Sequence, residues 1–169
     1  MKYGLEPVID HASRILILGT LPGDESLRLG QYYSNPRNQF WRILAMSYDT
    51  SIPEAYENRI RFLMSRGLAL WDVLKGAHRE GSLDSAIRDG IANGFETLFH
   101  HYPGISAIGF NGTKAEQLFR RHVIREQGFA LPQSVRTEVL PSTSPVPGRN
   151  ILSLEGKVAR WRRFLTDAG

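Results

Sequence analysis

No cysteine occurs among the 169 residues. Disulfides, a thiolate nucleophile, cysteine-ligated zinc and iron–sulfur clusters are therefore excluded, and a reducing compartment is the default. No apolar run approaches the roughly 20 residues that a bilayer span requires. The first ten residues include Glu6 and Asp10 and lack the apolar core of a secretion signal, which predicts a cytoplasmic protein with no membrane partner. Three nucleotide and hydrolase signatures are missing: the phosphate loop ending in Gly-Lys-Ser/Thr, the Gly-x-Gly-x-x-Gly fingerprint and the Gly-x-Ser-x-Gly elbow. The five histidines (His11, His78, His100, His101 and His122) show no metal-ligand spacing, so neither a metal nor an organic cofactor is expected. His100-His101 reads as a helix end. Internal repeats, low-complexity tracts and linker-like stretches are likewise absent, and the length suits one average domain, so 1–169 is expected to form a single domain.

What is present is an alternation of apolar runs and amphipathic patterns. Arg14 to Gly19, Leu68 to Leu74, Ile105 to Phe110 and Val135 to Leu140 read as buried strands, although the second run is also compatible with a helix. Helical patterns fall at Asn38 to Met46, Pro53 to Met64 (with proline in the first turn), Thr113 to Val123 and Glu155 to Leu165. Strands alternating with helices predict an α/β fold, a three-layer α/β/α sandwich around a central four-stranded parallel sheet. Ligands of such sheets bind beyond the carboxyl ends of the strands. Those exits here are Gly19-Thr20-Leu21-Pro22-Gly23, Asp72, Asn111-Gly112-Thr113 and Pro141-Ser142-Thr143-Ser144-Pro145. Lys and Arg number 21 against 17 acidic residues, a net charge of +4. That balance suits a polyanionic partner, DNA above all, and equally suits ordinary solubility.

Two blocks are denser than chance turns: Tyr32-Tyr33-Ser34-Asn35-Pro36-Arg37-Asn38-Gln39-Phe40-Trp41, and Leu140-Pro141-Ser142-Thr143-Ser144-Pro145. With Gly19-Thr20-Leu21-Pro22-Gly23, Leu70-Trp71-Asp72-Val73 and Phe110-Asn111-Gly112, the chain from about Arg14 to Leu165 resembles the uracil-DNA glycosylase superfamily. The likeness is closest to its deoxyinosine (hypoxanthine) DNA glycosylase family and extends to the thymine/mismatch-specific branch. The resemblance implies a monofunctional DNA glycosylase of base excision repair that acts on deaminated bases, hypoxanthine first and uracil or mismatched bases second, with no cofactor and as a monomer. One departure stands out. Better-known branches carry a catalytic Asp or Asn where this chain has Leu21, and the resemblance points to Asn38 as the replacement. Gly23 stands where the uracil-only branch has a tyrosine, leaving room for a larger base.

Hydrolysing an N-glycosidic bond requires a base taken out of the duplex, negative charge on that base stabilised, and a water placed at the anomeric carbon. Tyr33, with Tyr32 as second choice, suits stacking on the extruded base, and Thr20, Leu21 and Gly23 would form its wall. The Asn38 carbonyl can orient water without the basicity of a carboxylate. Asn111 can donate to a base carbonyl and accept from the neighbouring ring N–H, an edge shared by uracil and hypoxanthine. Ser142, Thr143 and Ser144 can hold flanking phosphates, Pro145 and Val146 can fill the gap left in the stack, and Arg37, Arg149 and the group Lys157, Arg160, Arg162 and Arg163 can contact the DNA backbone. Each has a plainer reading. Tyr32 and Tyr33 also fit as rim aromatics, Asn38 as a helix cap, Asn111 as a left-handed turn residue, Asp72 as a loop anchor as readily as a contact to the base, and the last basic group as a solvated helix face. The alternative of another class is a non-catalytic DNA-binding module of the same fold.

Overall fold

The computed structural model describes residues 1–145 and 151–168. In chain order the strands are β1 (Lys2–Tyr3), β2 (Ile15–Gly19), β3 (Leu68–Asp72), β4 (Leu74–His78), β5 (Arg88–Ala92), β6 (Ala107–Asn111) and β7 (Arg136–Leu140). The helices are α1 (Asp24–Leu29), α2 (Phe40–Ser47), α3 (Tyr56–Ser65), α4 (Phe95–His101), α5 (Thr113–Leu118) and α6 (Leu154–Ala168). Strands β3-β2-β6-β7 form the expected four-stranded parallel sheet in that order. Ile15 lies opposite Leu68 on one side and Ala107 on the other.

The sheet is buried on both faces because its strands are apolar at successive positions and successive side chains point opposite ways. Ile15, Ile17, Leu68 and Leu70 pack with Phe40, Leu44, Leu63, Trp161 and Phe164, the inner faces of α2, α3 and α6. Leu16, Leu18, Ala69 and Trp71 pack with Phe95, Phe99, Leu118 and Phe119, from α4 and the α5 region. Two helical layers thus enclose the sheet. Gly109 marks how tightly they close: a Cβ there would lie 2.8 Å from Phe164 and 2.9 Å from Leu140. Among the described residues no helix is long and apolar enough to cross a membrane.

Several elements differ from the sequence reading. The run at Leu68 is a strand that stops at Asp72. Val73 hydrogen-bonds the Gly19 carbonyl at 2.9 Å, and β4 then leaves to join a second, antiparallel sheet, β1-β4-β5. The third helix begins at Tyr56 rather than in the turn at Pro53. Ala55 is its extended entry residue and its carbonyl accepts from Arg59, whose side chain in turn donates to Pro53 O at 2.7 Å. Beyond Leu118, α5 widens into π-helical turns over Phe119–Glu126, where buried His122 bonds Glu126 at 2.7 Å. His101 does close α4, its ring bonding Thr97 O at 2.9 Å.

Candidate active site

The carboxyl ends of β2, β3, β6 and β7 open into one cleft of about 890 Å³. The sequence-nominated residues Thr20, Leu21, Gly23, Tyr32, Tyr33, Arg37, Asn38, Asp72, Asn111, Ser142, Thr143, Ser144 and Pro145 all line it. Val146 and Arg149 lie outside the described residues.

A chain of hydrogen bonds crosses this cleft. Asn38 sits two residues ahead of α2, one before the N-cap position at Gln39, and its Oδ1 accepts from the Phe40 N–H at 2.9 Å, so it caps the first amide of the helix from just outside it. The same oxygen accepts from the Thr143 hydroxyl at 2.9 Å. Capping therefore fixes the plane of an amide that also faces the cleft. Thr143 is completely buried, and its own N–H donates to Asn111 Oδ1 at 3.0 Å. Asn111 Nδ2 donates to Thr143 Oγ1 at 2.9 Å and to the Tyr33 hydroxyl at 3.2 Å. The amide of Asn111 is thus engaged on both sides by protein. A base reaching Asn111 would take over one of these bonds, and the longer one to Tyr33 is the easier to exchange. The loop carrying Thr143 is held by Gln39 N–H on Thr143 O and by the Trp161 indole on Pro141 O, each at 2.9 Å. Thr143→Val, which keeps shape and removes the hydroxyl, takes one bond from Asn38 Oδ1 and one from Asn111 Nδ2 and is expected to lower the melting temperature, which Thr143→Ser should restore.

The two tyrosines divide their work. Tyr32 is a core residue: its hydroxyl donates to Glu6 O at 2.7 Å and its carbonyl accepts from the Trp41 indole at 3.0 Å. Tyr33 is half-buried, stacks on Phe40 at 4.1 Å between ring centres, and holds a left-handed φ of 54°, rare for a residue with a side chain. Burial, with Asp72 nearby, raises its phenol well above the usual range, so it stays protonated.

Leu21 is 5% exposed and belongs to the apolar core beneath the cleft, so its side chain offers no polar atom to water. Its loop is anchored by Arg79, buried after β4, which donates to Leu21 O (3.2 Å), Pro22 O (2.6 Å) and Gly81 O (2.9 Å). Thr20 donates to Asp84 at 2.7 Å. The sequence reading missed both Arg79 and Asp84. They lie 58 and 64 residues from the loop positions they bond, and only the Gly81-Ser82 turn hinted at a structured segment there. Of the late basic group, Lys157 and Arg160 line the cleft. Lys157 is buried, bonds Gln39 Oε1 at 2.9 Å, and has its pKa lowered by desolvation. Arg162 turns away to Asp49 and Met46 O.

Asp72 ends β3 and is 5% exposed. Its Oδ2 has no hydrogen-bond partner among the described residues. Burial first, then the like charge of Asp84, push its pKa up to about 7, and Arg79 opposes them. A folded pKa above the ordinary 3.8 means that the native state holds this proton more tightly than the unfolded chain does. The group's contribution to stability is therefore full below about pH 4 and is lost as pH rises through 7. Asp72→Asn removes that loss, so the melting temperature of the variant relative to the parent is expected to be higher at pH 8 than at pH 5.

Residues 6–163 match the family model described as "Uracil DNA glycosylase superfamily". The chain therefore belongs to the uracil DNA glycosylase superfamily, a class of DNA-acting glycosylases. It is 38% identical to a hypoxanthine DNA glycosylase of Methanosarcina acetivorans, covering 95% of this chain and 96% of the relative. It is 37% identical to a protein of the same description from Methanosarcina barkeri, covering 95% of each. A solution NMR structure of a candidate uracil DNA glycosylase from Methanosarcina acetivorans superposes with a TM-score of 0.78 at 36% identity, covering 99% of this chain and 98% of that one.

Proposed function

We propose that this chain is a single-domain, monofunctional glycosylase that removes deaminated bases from DNA, hypoxanthine first and uracil second, by direct attack of water on the glycosidic bond. The observation that carries this reading is the bonded series Tyr33–Asn111–Thr143–Asn38 along one wall of the cleft. It sets an aromatic face and a fixed carboxamide around the same space. The two relatives described as hypoxanthine DNA glycosylases favour hypoxanthine as the first substrate.

The steps follow from the side chains. The extruded base stacks on the face of Tyr33 opposite Phe40, recovering about 1–3 kcal/mol against the cost of flipping. Asn38 Oδ1 already accepts two bonds, so water enters as the Thr143 hydroxyl rotates off it. Thr143 Oγ1, still held by Asn111, then shares that water. With no carboxylate at Leu21, rate comes from position rather than from proton abstraction, and the oxocarbenium-like sugar meets an oriented oxygen. Buried Lys157 and the hydroxyls of Ser142 and Ser144 face the flanking phosphates, with Arg37 at the rim.

Purified protein incubated with labelled oligonucleotides containing hypoxanthine, uracil, xanthine or a thymine mismatch tests this directly. Alkali-labile abasic sites at hypoxanthine, with the strand intact before alkali, are expected. Salt-sensitive DNA binding with no abasic product on any substrate would establish the non-catalytic binding module instead.

A further inference from the structure

We infer that a second hollow, opening beside the cleft, seats the nucleotide next to the extruded one on the same strand and holds its phosphate on Arg42 and Arg59. The inference rests on the reading of the cleft as the seat of an extruded base and adds to it the part of the strand that moves with that base.

The second hollow, of about 980 Å³, is lined from the segment before α2, from the start of that helix and from α3. Tyr33, Asn35, Arg37, Asn38, Leu83 and Pro145 line both hollows, so the two adjoin. Leu83 is kept on that boundary although it is 51% exposed. The turn carrying it is braced on either side, by Asp84 accepting from Thr20 at 2.7 Å and by Arg79 donating to Gly81 O at 2.9 Å. Two bases lying on opposite sides of Leu83 and Pro145 cannot stack on each other.

Charge then tells the two spaces apart. The cleft counts Asp72 and Asp84 among its walls, whereas the second hollow is walled by Arg37, Arg42 and Arg59 and by no acidic residue. Among the described residues none of these three guanidinium groups has an acidic partner. Arg59 is set in place from within the fold. Its Nε donates to Pro53 O at 2.7 Å, and its guanidinium carbon lies 5.9 Å from the Trp41 ring centre. The terminal nitrogens of Arg59 are left unbonded among the described residues. Arg42 is exposed, and its side chain bonds no described residue.

A guanidinium carries its charge at every working pH and donates two parallel bonds to a phosphate. Cations that no acid neutralises therefore suit a phosphate in the second hollow, as the acids of the cleft do not. The covalent chain itself delivers that phosphate. With a base drawn into the cleft, the neighbouring nucleotide is the part of the strand that reaches past Leu83. Two successive nucleotides then leave the stack together. A single strand meets this demand directly, whereas in a duplex the neighbour must also leave its partner, which costs more for a G·C pair than for an A·T pair.

The test uses the parent protein and single-stranded oligonucleotides with hypoxanthine on a 2′-fluoro sugar, which resists loss of the base, so that Kd is read without excision. Each phosphate near the lesion is replaced in turn by an uncharged methylphosphonate. On one side of the lesion, neutralising the far phosphate of the adjoining nucleotide is expected to raise Kd about tenfold. In the double variant Arg42→Gln, Arg59→Gln the same replacement should change nothing, and the slope of log Kd against log salt should fall by about 0.7 or more. Arg42→Gln alone gives up no described bond and should remove part of the penalty with the fold intact. Arg125→Gln takes the same charge from a segment that lines neither hollow and should change neither reading. In duplex DNA, parental excision should be several-fold faster beside an A·T than beside a G·C pair on that side. A methylphosphonate penalty that is the same in parent and double variant at every position overturns the second seat, while hypoxanthine excision by the parent stands. No abasic product from the parent on unmodified hypoxanthine DNA, together with equal Kd for hypoxanthine and adenine strands, overturns both this inference and the base pocket beneath it.

Discussion

Asn38→Ala is expected to slow single-turnover excision of hypoxanthine by 10²-fold or more while changing the Kd for the same DNA by less than about threefold, since an oriented reacting group contributes roughly 10²–10⁴ in rate. The structure gives the reason for both halves. Asn38 Oδ1 is pinned by Phe40 N–H and Thr143 at 2.9 Å each, so its removal leaves no fixed acceptor at that point of the wall. On the proposed function, DNA affinity is expected to rest instead on Tyr33 stacking and on Lys157, Arg37 and the 142–144 loop, none of which Asn38 supports alone. The cap it provides is worth about 1 kcal/mol, and its loss should lower the melting temperature only slightly. Asn38→Asp separates the two roles. A carboxylate caps equally well and can also take a proton from water, so this variant is expected to keep its fold and retain excision. Excision by Asn38→Ala at the parental rate would remove Asn38 from the mechanism.

How far the sequence anticipated this arrangement depends on the distance over which each part is determined. Three of the four core strands were legible because Arg-Ile-Leu-Ile-Leu-Gly and its counterparts are short apolar runs closed by turn residues, a local signal, whereas the run from Leu68 also suited a helix. The second sheet was not. β1 is only two residues long, and β5 reads Arg-Asp-Gly-Ile-Ala, with Arg88, Asp89 and Ile91 exposed. Such strands form because β4 turns away at Val73 and offers them an edge. The cleft residues were legible because they cluster at strand exits and in two motif blocks. Their wiring was not, since Thr143 meets Asn38 across 105 residues and Asn111 meets Tyr33 across 78. Asn111 shows the consequence. Its residue type suits a base edge, but only the folded loop shows that Thr143 and Tyr33 already occupy the amide. Asn38 is the converse case, where one oxygen accepts from Phe40 N–H at the helix start and from Thr143 in the cleft wall, so the capping reading leaves the proposed catalytic one open.

Gly19→Ala is expected to be the most damaging single-methyl change in the protein. Gly19 ends β2 with an ordinary backbone conformation, so the demand for glycine is one of space. The added Cβ would sit 2.5 Å from Asp72 Oδ1 and 3.1 Å from the Tyr33 hydroxyl. The carboxyl belongs to a short buried side chain between strands, and the phenol is fixed by Phe40 and Asn111, so neither yields freely. Overpacking of this kind costs about 1–3 kcal/mol. Moving Tyr33 and Asp72 by even about 1 Å should also slow excision on the order of 10²-fold. Gly109→Ala is the matched control, because its Cβ would meet Phe164, Leu140 and Ile17, of which Leu140 alone lines the cleft, and neither Asp72 nor Tyr33. Both variants should melt earlier than the parent by circular dichroism. Measured at a temperature where each is fully folded, Gly109→Ala should retain parental single-turnover excision and Gly19→Ala should not. If the two lose activity alike, or if Gly19→Ala is as active as the parent, then the close approach of Asp72 and Tyr33 at the end of β2 is not what shapes the base-binding wall.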